Sequence, residues 1–158
     1  MARDSGIANE EAVFKATAAL LGGTKMLGGP APKTRLQVHE KLAQGIPSAA
    51  AAHLVSALFL LDEKTVVVAG IGMSARTYLR QKSKKARLDV EHSGRAWKFA
   101  EVLTKASSVL GSQQAAERWL KEPAMGLDRQ RPIDLLKTQA GTQLVEEFLE
   151  RIDLGAYS

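Results

Sequence analysis

The stretch Val66-Val-Val-Ala-Gly-Ile-Gly-Met-Ser-Ala75 narrows the possible folds more than any other part of the chain. Three consecutive β-branched residues favour a strand. Gly70-x-Gly72-x-x-Ala75 after a strand is the skeleton of a dinucleotide-binding turn. The same residues also fit a helix-turn-helix, with Gly72 left-handed at the turn and Ser74 capping the second helix. The two readings belong to different fold classes, because the first needs more strands and the second needs none.

The neighbouring residues favour the second. A nucleotide fold needs another parallel strand and an acid about 20 residues on for the ribose. Asp89 stands at a tolerable distance, but the intervening QKSKKARLDV carries four positive charges and no apolar run. Strands of a parallel sheet are buried on both faces and read as nearly continuous apolar runs. No other segment supplies a third strand. In the helical reading, Asp62 caps a short helix that reaches about residue 70 and turns some of the valines inward. Ser74 then caps a helix to about Lys82, and packing overrides the valines' local preference.

That second helix lies in a basic region. Residues 65–88 contain no acid and six positive charges: Arg76, Arg80, Lys82, Lys84, Lys85 and Arg87. Within a net charge of +5, residues 140–158 run the other way, with Glu146, Glu147, Glu150 and Asp153 against Arg151. A basic middle and an acidic end suggest two surfaces with different partners. Ser74, Arg76, Thr77, Tyr78, Arg80 and Gln81 are placed to reach phosphates or base edges, and Lys82, Lys84 and Lys85 to attract the DNA backbone.

The rest of the chain reads as helices. The first covers residues 9–21 with Asn9 as its cap. LGGTKMLGGPAPK follows, where four glycines and two prolines mark a linker or loose arm. A helix from Thr34 to about Gln44 ends at Gly45. Pro47 opens another over residues 48–61. A long helix runs from near Asp89 to Gly111, with Trp97 in the core. Gly94 inside it costs about 1 kcal/mol relative to alanine, which suggests a close contact there. Ser112 caps a short helix through Leu120, and residues 123–132 form a loop. The last helix carries Leu144, Val145, Phe148, Leu149 and Ile152 on one face.

Several chemistries find no support in the 158 residues. There is no cysteine, hence no disulfide or thiolate metal site. His39, His53 and His92 lack metal-ligand spacing. The acidic pairs read as solvent-facing charges on amphipathic helices, and no catalytic constellation emerges. MARDSGIANEEAVF lacks the apolar core of a signal peptide. The apolar stretches 57–61 and 66–73 fall short of the roughly 20 residues that span a bilayer. A soluble, cytoplasmic, non-enzymatic protein without cofactor or metal is expected.

Over residues 34–158 the sequence resembles the Xre/MbcA/ParS family of bacterial antitoxins. The resemblance is carried by Gly45-Ile-Pro47, Gly72-Met-Ser-Ala-Arg-Thr77 with Arg80, Ser93-Gly-Arg95, and Ala116-Glu-Arg-Trp-Leu120. Further on it is carried by Pro132-Ile-Asp-Leu-Leu136 and by Gly141, Val145, Leu149 and Gly155. Family members often have two consecutive arginines where this chain has Arg80-Gln81.

The resemblance implies an all-α antitoxin in which an Xre-like helix-turn-helix region precedes a helical toxin-binding region. The expected division is an N-terminal arm at 1–33, a DNA-binding and dimerisation region at 34–88, and a toxin-binding region at 89–158. It implies a cognate toxin of the RES type, related to ADP-ribosyltransferases and consuming NAD, whose active site the antitoxin covers. It also implies operator binding as a homodimer and repression of the antitoxin's own operon. By the same analogy, Trp119 and the terminal Asp153, Leu154, Gly155, Ala156, Tyr157 and Ser158 contact the toxin. A stand-alone helix-turn-helix regulator, whose C-terminal half only dimerises, is the alternative.

Overall fold

Asp89 accepts the backbone N–H of His92 and starts the helix on which the molecule is built, α7 (Val90–Leu110), which stops at left-handed Gly111. The computed structural model describes the backbone of residues 4–155 and the side chains of residues 9–155. Along α7, Ala96, Trp97, Phe99, Ala100, Val102, Leu103 and Ala106 are all buried, too many for one stripe. The helix is therefore enclosed. Against it pack α1 (Asp4–Leu20), α3 (Arg35–Gln44), α8 (Gln113–Lys121), α10 (Gln139–Gly155) and the π-helical turn Val66–Ile71. Gly94 faces open space, and nothing in the structure explains it.

From Phe14 onward the N-terminal residues contribute to this core and do not form a loose arm. Helix α1 starts at Asp4, so Asn9 lies inside it and does not cap it. Phe14 is fully buried, with its ring centroid 6.2 Å from that of Trp97. The Gly-rich segment folds as α2 (Gly23–Leu27) between left-handed Gly22 and Gly28, and Leu27 is buried. One cluster of buried side chains runs from Phe14 through Val38, Leu54 and Leu103 to Leu149.

Thr34 caps α3 through the N–H of Gln37, and Gly45 ends it as expected. A Cβ on Gly45 would lie 2.5 Å from the Leu88 carbonyl oxygen, so only glycine fits. Helix α4 (Ser48–Ser56) follows Pro47 and stops short of residue 61. The cause is Glu117 of α8, whose carboxylate accepts the backbone N–H groups of Phe59, Leu60 and Leu61. Those donors are lost to a continuing helix.

Asp62 caps α5 (Glu63–Thr65) by accepting from the Thr65 N–H. The chain then widens into the π-helical turn, which buries Val66 and Val67 and leaves Val68 half exposed. Gly70 rests on Phe99, where a Cβ would stand 3.0 Å from the ring. Gly72 is left-handed (φ 79°), and Ser74 caps α6 (Ala75–Lys84). Among the described residues there is no strand, only the isolated antiparallel bridges Pro47 to Arg87 and Ala124 to Gln130. The all-α class holds, and no sheet is present for a nucleotide fold.

Ser112 caps α8 through the Ala115 N–H. The expected loop at 123–132 contains a 3-10 turn, Met125–Leu127, closed by the Ala124–Gln130 bridge. Pro132 starts α9 (Pro132–Leu135), and α10 follows. Gly141 touches the backbone of α9 so closely that a Cβ would fall 2.1 Å from the Leu135 oxygen.

Candidate nucleic-acid and partner interfaces

Arg76 and Arg80 stand four residues apart on α6 and so share one face. With Lys82, Lys84 and Lys85 they are exposed, and none of the five has a carboxylate within 4.0 Å among the described residues. Helix α6 therefore presents uncompensated positive charge, as a phosphate-binding surface does. Thr77 and Gln81 are half-buried at its margin. The Ser74 hydroxyl is engaged within the cap, accepting from the Thr77 N–H at 3.1 Å and donating to Thr77 Oγ1 at 2.9 Å.

Tyr78 does not belong to this surface. Two residues from both Arg76 and Arg80, it falls on the opposite side of the helix. Its ring is only 3% exposed, in a second buried cluster with Ala51, Val67, Ile71, Met73, Leu88 and Ala96. Its hydroxyl is buried with no hydrogen-bond partner. Burial, and then the Glu63 carboxylate, hold the phenol above its usual pKa. The tyrosine is an anchor that fixes the inner face of α6.

Further contacts hold α6 in place. Lys85 ends the helix in the left-handed conformation (φ 53°), and the Ala86 N–H reaches the Gln81 oxygen. The extended residues beyond pair with the start of α4 through Ser48 N–H to Ala86 O and Leu88 N–H to Ile46 O, both 2.8 Å. Ser93 of α7 accepts the Ile46 N–H at 2.8 Å and donates to the Leu88 oxygen at 3.2 Å. From α7, Arg95 Nη2 donates to the Ala69 oxygen at 2.8 Å, and Nη1 lies against the Gly72 turn.

The C-terminal half presents a different surface. Trp119 is half-buried and stacked on Phe148, with centroids 5.7 Å apart and planes at 8°. The Arg151 guanidinium stands 5.8 Å from the centre of the same Phe148 ring. Gly126 lies so close to that ring that a Cβ would overlap it. Met125 is 80% exposed and Leu144 51% exposed, which leaves apolar surface on the 3-10 turn and on α10. Asp153 lines a cleft with Asn9, Val13 and Lys105, so it faces α1 and α7, away from Trp119. Leu154 is exposed, and Gly155 ends α10. Ala156, Tyr157 and Ser158 lie outside the described residues.

Two carboxylates, Glu101 and Glu117, are fully buried. Glu101 accepts from Trp97 Nε1 at 3.3 Å and Lys98 Nζ at 2.9 Å, with Lys105 at 3.4 Å and Arg35 at 3.7 Å. Burial pushes its carboxyl up, but Lys98, Lys105 and Arg35 outweigh that and hold it below the usual carboxylate range. Glu117 takes its three backbone N–H groups and Gln113 Nε2. Position 117, between buried Ala116 and Leu120, was the sequence signal of an inward carboxylate. Among the described residues, no three His, Cys, Asp or Glu side chains gather as a metal site would require. Nor is any helix there long and apolar enough to cross a membrane.

Comparison with known proteins shows what the C-terminal half is similar to. Residues 105–155 match the family of the antitoxin Xre/MbcA/ParS C-terminal toxin-binding domain. An "Antitoxin Xre" of Yersinia enterocolitica is 27% identical over 96 residues, covering 60% of this chain and 65% of the relative. One of Pseudomonas putida is 34% identical over 80 residues, covering 51% of this chain and 50% of the relative. One of Photorhabdus laumondii is 31% identical over 88 residues, covering 55% and 60%. The chain thus spans between 50% and 65% of the length of the curated relatives it matches. By these matches residues 105–155 are similar to the toxin-binding domain of Xre/MbcA/ParS antitoxins, and 51–60% of the chain is similar to antitoxins of the Xre type.

Proposed function

We propose that the protein is the antitoxin of a toxin–antitoxin pair. It binds its cognate toxin through residues 89–158, and DNA through the outer face of α6 within residues 34–88. The observation that carries this reading is the match of residues 105–155 to a toxin-binding domain. The unpaired basic face of α6 supports the DNA half. The toxin is of the RES type and consumes NAD, the antitoxin covers its active site, and the complex represses its own operon from the cytoplasm as an assembly built on an antitoxin homodimer. Residues 1–33 complete the core and carry neither interface. The protein itself performs no chemistry.

On the toxin side, the exposed apolar surface at Met125 and Leu144, next to stacked Trp119 and Phe148, is the principal contact. Aromatic residues in such half-buried settings anchor interfaces. The terminal residues from Asp153 onward reach the toxin's cleft.

The test is growth and NAD content in cells expressing the neighbouring reading frame, with and without this chain. NAD loss that this chain reverses is the expected result. A harmless neighbour with nothing co-purifying overturns the reading in favour of a stand-alone regulator, which the basic face of α6 would serve equally well.

A further inference from the structure

We propose that Arg95 is a DNA-phosphate ligand supplied by α7, from outside the recognition helix, at the turn that precedes it. The proposal rests on the reading of α6 as the DNA-binding helix.

The guanidinium lies over Gly72, where a Cβ would stand 2.6 Å from Nη1, and Gly72 itself is exposed. Arg95 thus reaches the solvent side of the turn that leads into Ser74 and Arg76. One of its five N–H donors is used, by Nη2 on the Ala69 oxygen. That bond fixes the plane of the group and leaves Nη1 over the turn.

Its electrostatic setting is unlike that of the other α7 cations. Lys98 and Lys105 are each held between Glu101 and Glu146 at 2.8–3.4 Å. Arg95 is also half-buried, yet among the described residues no carboxylate lies within 4.0 Å of it. Burial depresses its pKa, and Glu91, one turn earlier, only partly offsets this. A guanidinium nevertheless stays charged. A partly desolvated cation whose counter-charge stands no nearer than Glu91 gains from an anion that meets it directly. A phosphodiester suits it, since its two free oxygens match the guanidinium fork. A phosphate bound here would fix how α6 is seated, because backbone contacts set register while base contacts set sequence.

The experiment measures binding of the full chain to a duplex spanning the promoter of its own reading frame, across a salt series. Arg95→Met is expected to make the slope of log K against log salt shallower by about 0.9, one phosphate contact. Arg95→Lys should keep the slope and bind several-fold more weakly. If circular dichroism shows that Arg95→Met loses helix, Arg95→Gln, neutral but still a donor to Ala69, replaces it. A methylphosphonate scan of the duplex is run in parallel with unaltered protein and Arg95→Lys. It should reveal one phosphate whose neutralisation costs the unaltered protein more than the variant.

An unchanged slope with weaker binding would reduce Arg95 to a positioning residue and overturn the proposal, as would a scan with no such phosphate. Saturable binding of inorganic phosphate at the Arg95 side chain without DNA, or loss of toxin binding alone, would also overturn it. The Arg80→Ala, Lys84→Ala double variant separates the two levels. If it flattens the slope while Arg95→Met does not, only the Arg95 proposal fails. If neither changes it, the reading of α6 fails as well.

Discussion

Glu117 of α8 accepts the backbone N–H of Leu60 at 2.8 Å, and this bond joins the C-terminal helices to the loop that leads into the helix-turn-helix. The neighbouring Phe59 and Leu61 N–H groups, each at 3.0 Å, converge on the same buried carboxylate. Removing it takes the acceptor from three N–H groups, of which that of Leu61 lies in the interior. Glu117→Ala is expected to cost about 3 kcal/mol, since the lost bonds are charge-assisted and the Leu61 donor stays buried. Glu117→Gln should cost less but still destabilise, because its amide group turns donors toward donors. Urea unfolding measures both. Full stability in Glu117→Ala would mean the loop takes another conformation.

Glu101 makes stability depend on acid. Its carboxyl is held below the usual range in the folded protein, so the unfolded chain binds the proton more readily. The stabilisation is complete above the ordinary carboxylate pKa and is lost as pH falls through the depressed folded value. Asp62 and Asp89 are shifted the same way but are exposed, and solvent screening keeps their share small. Glu101→Gln should lower stability near neutral pH by about 3 kcal/mol, leaving Lys98 and Lys105 without a shared partner. It should also flatten the acid limb of the unfolding curve. An unchanged acid limb would place the pH dependence elsewhere.

Lys85 sits where glycine is favoured, left-handed at the end of α6. Lys85→Gly relieves roughly 1 kcal/mol of backbone strain while removing a positive charge beside the surface proposed to bind DNA. Thermal stability should rise as DNA affinity falls. If both move in the same direction, Lys85 makes no contribution to DNA binding.

Tyr78→Phe removes a buried hydroxyl that has no partner. The expected outcome is equal or greater stability, by up to about 1 kcal/mol, with DNA affinity unchanged. Arg80→Ala should do the reverse, weakening DNA binding at constant stability. A selective loss of DNA affinity in Tyr78→Phe, at native stability, would return the hydroxyl to the interface.

Much of the fold could be read from local signals. Asp62, Ser74 and Ser112 each cap the helix expected of them, and the helices expected to start near Thr34 and Asp89 are capped by those residues, because a cap acts through backbone atoms within three residues. Gly45, Gly72 and Gly111 end elements for the same local reason. What could not be read depends on contacts far apart in sequence. The early end of α4 is set by a side chain on α8, and the burial of Phe14 by Trp97. Tyr78 carries a hydroxyl as a DNA-contacting residue would, but helical periodicity turns it inward. Its offset from Arg76 and Arg80 already contained the answer. Arg95 gave no signal beyond its place in Ser93-Gly-Arg95, since its significance comes from Gly72 beneath it.

The enclosure of α7 bears on how such proteins diversify. Phe99 on this helix seats Gly70 of the helix-turn-helix, while the same stretch packs against α8 and joins Leu120 and Leu149 in one interior. A recombination event at residue 88 would hand a foreign α7 to an old helix-turn-helix, and every complementary contact on that side would have to be reinvented together. Substitutions on the exposed faces of α6 and α10 leave the α7 contacts untouched, so either surface can change chemistry while the shared interior stays as it is.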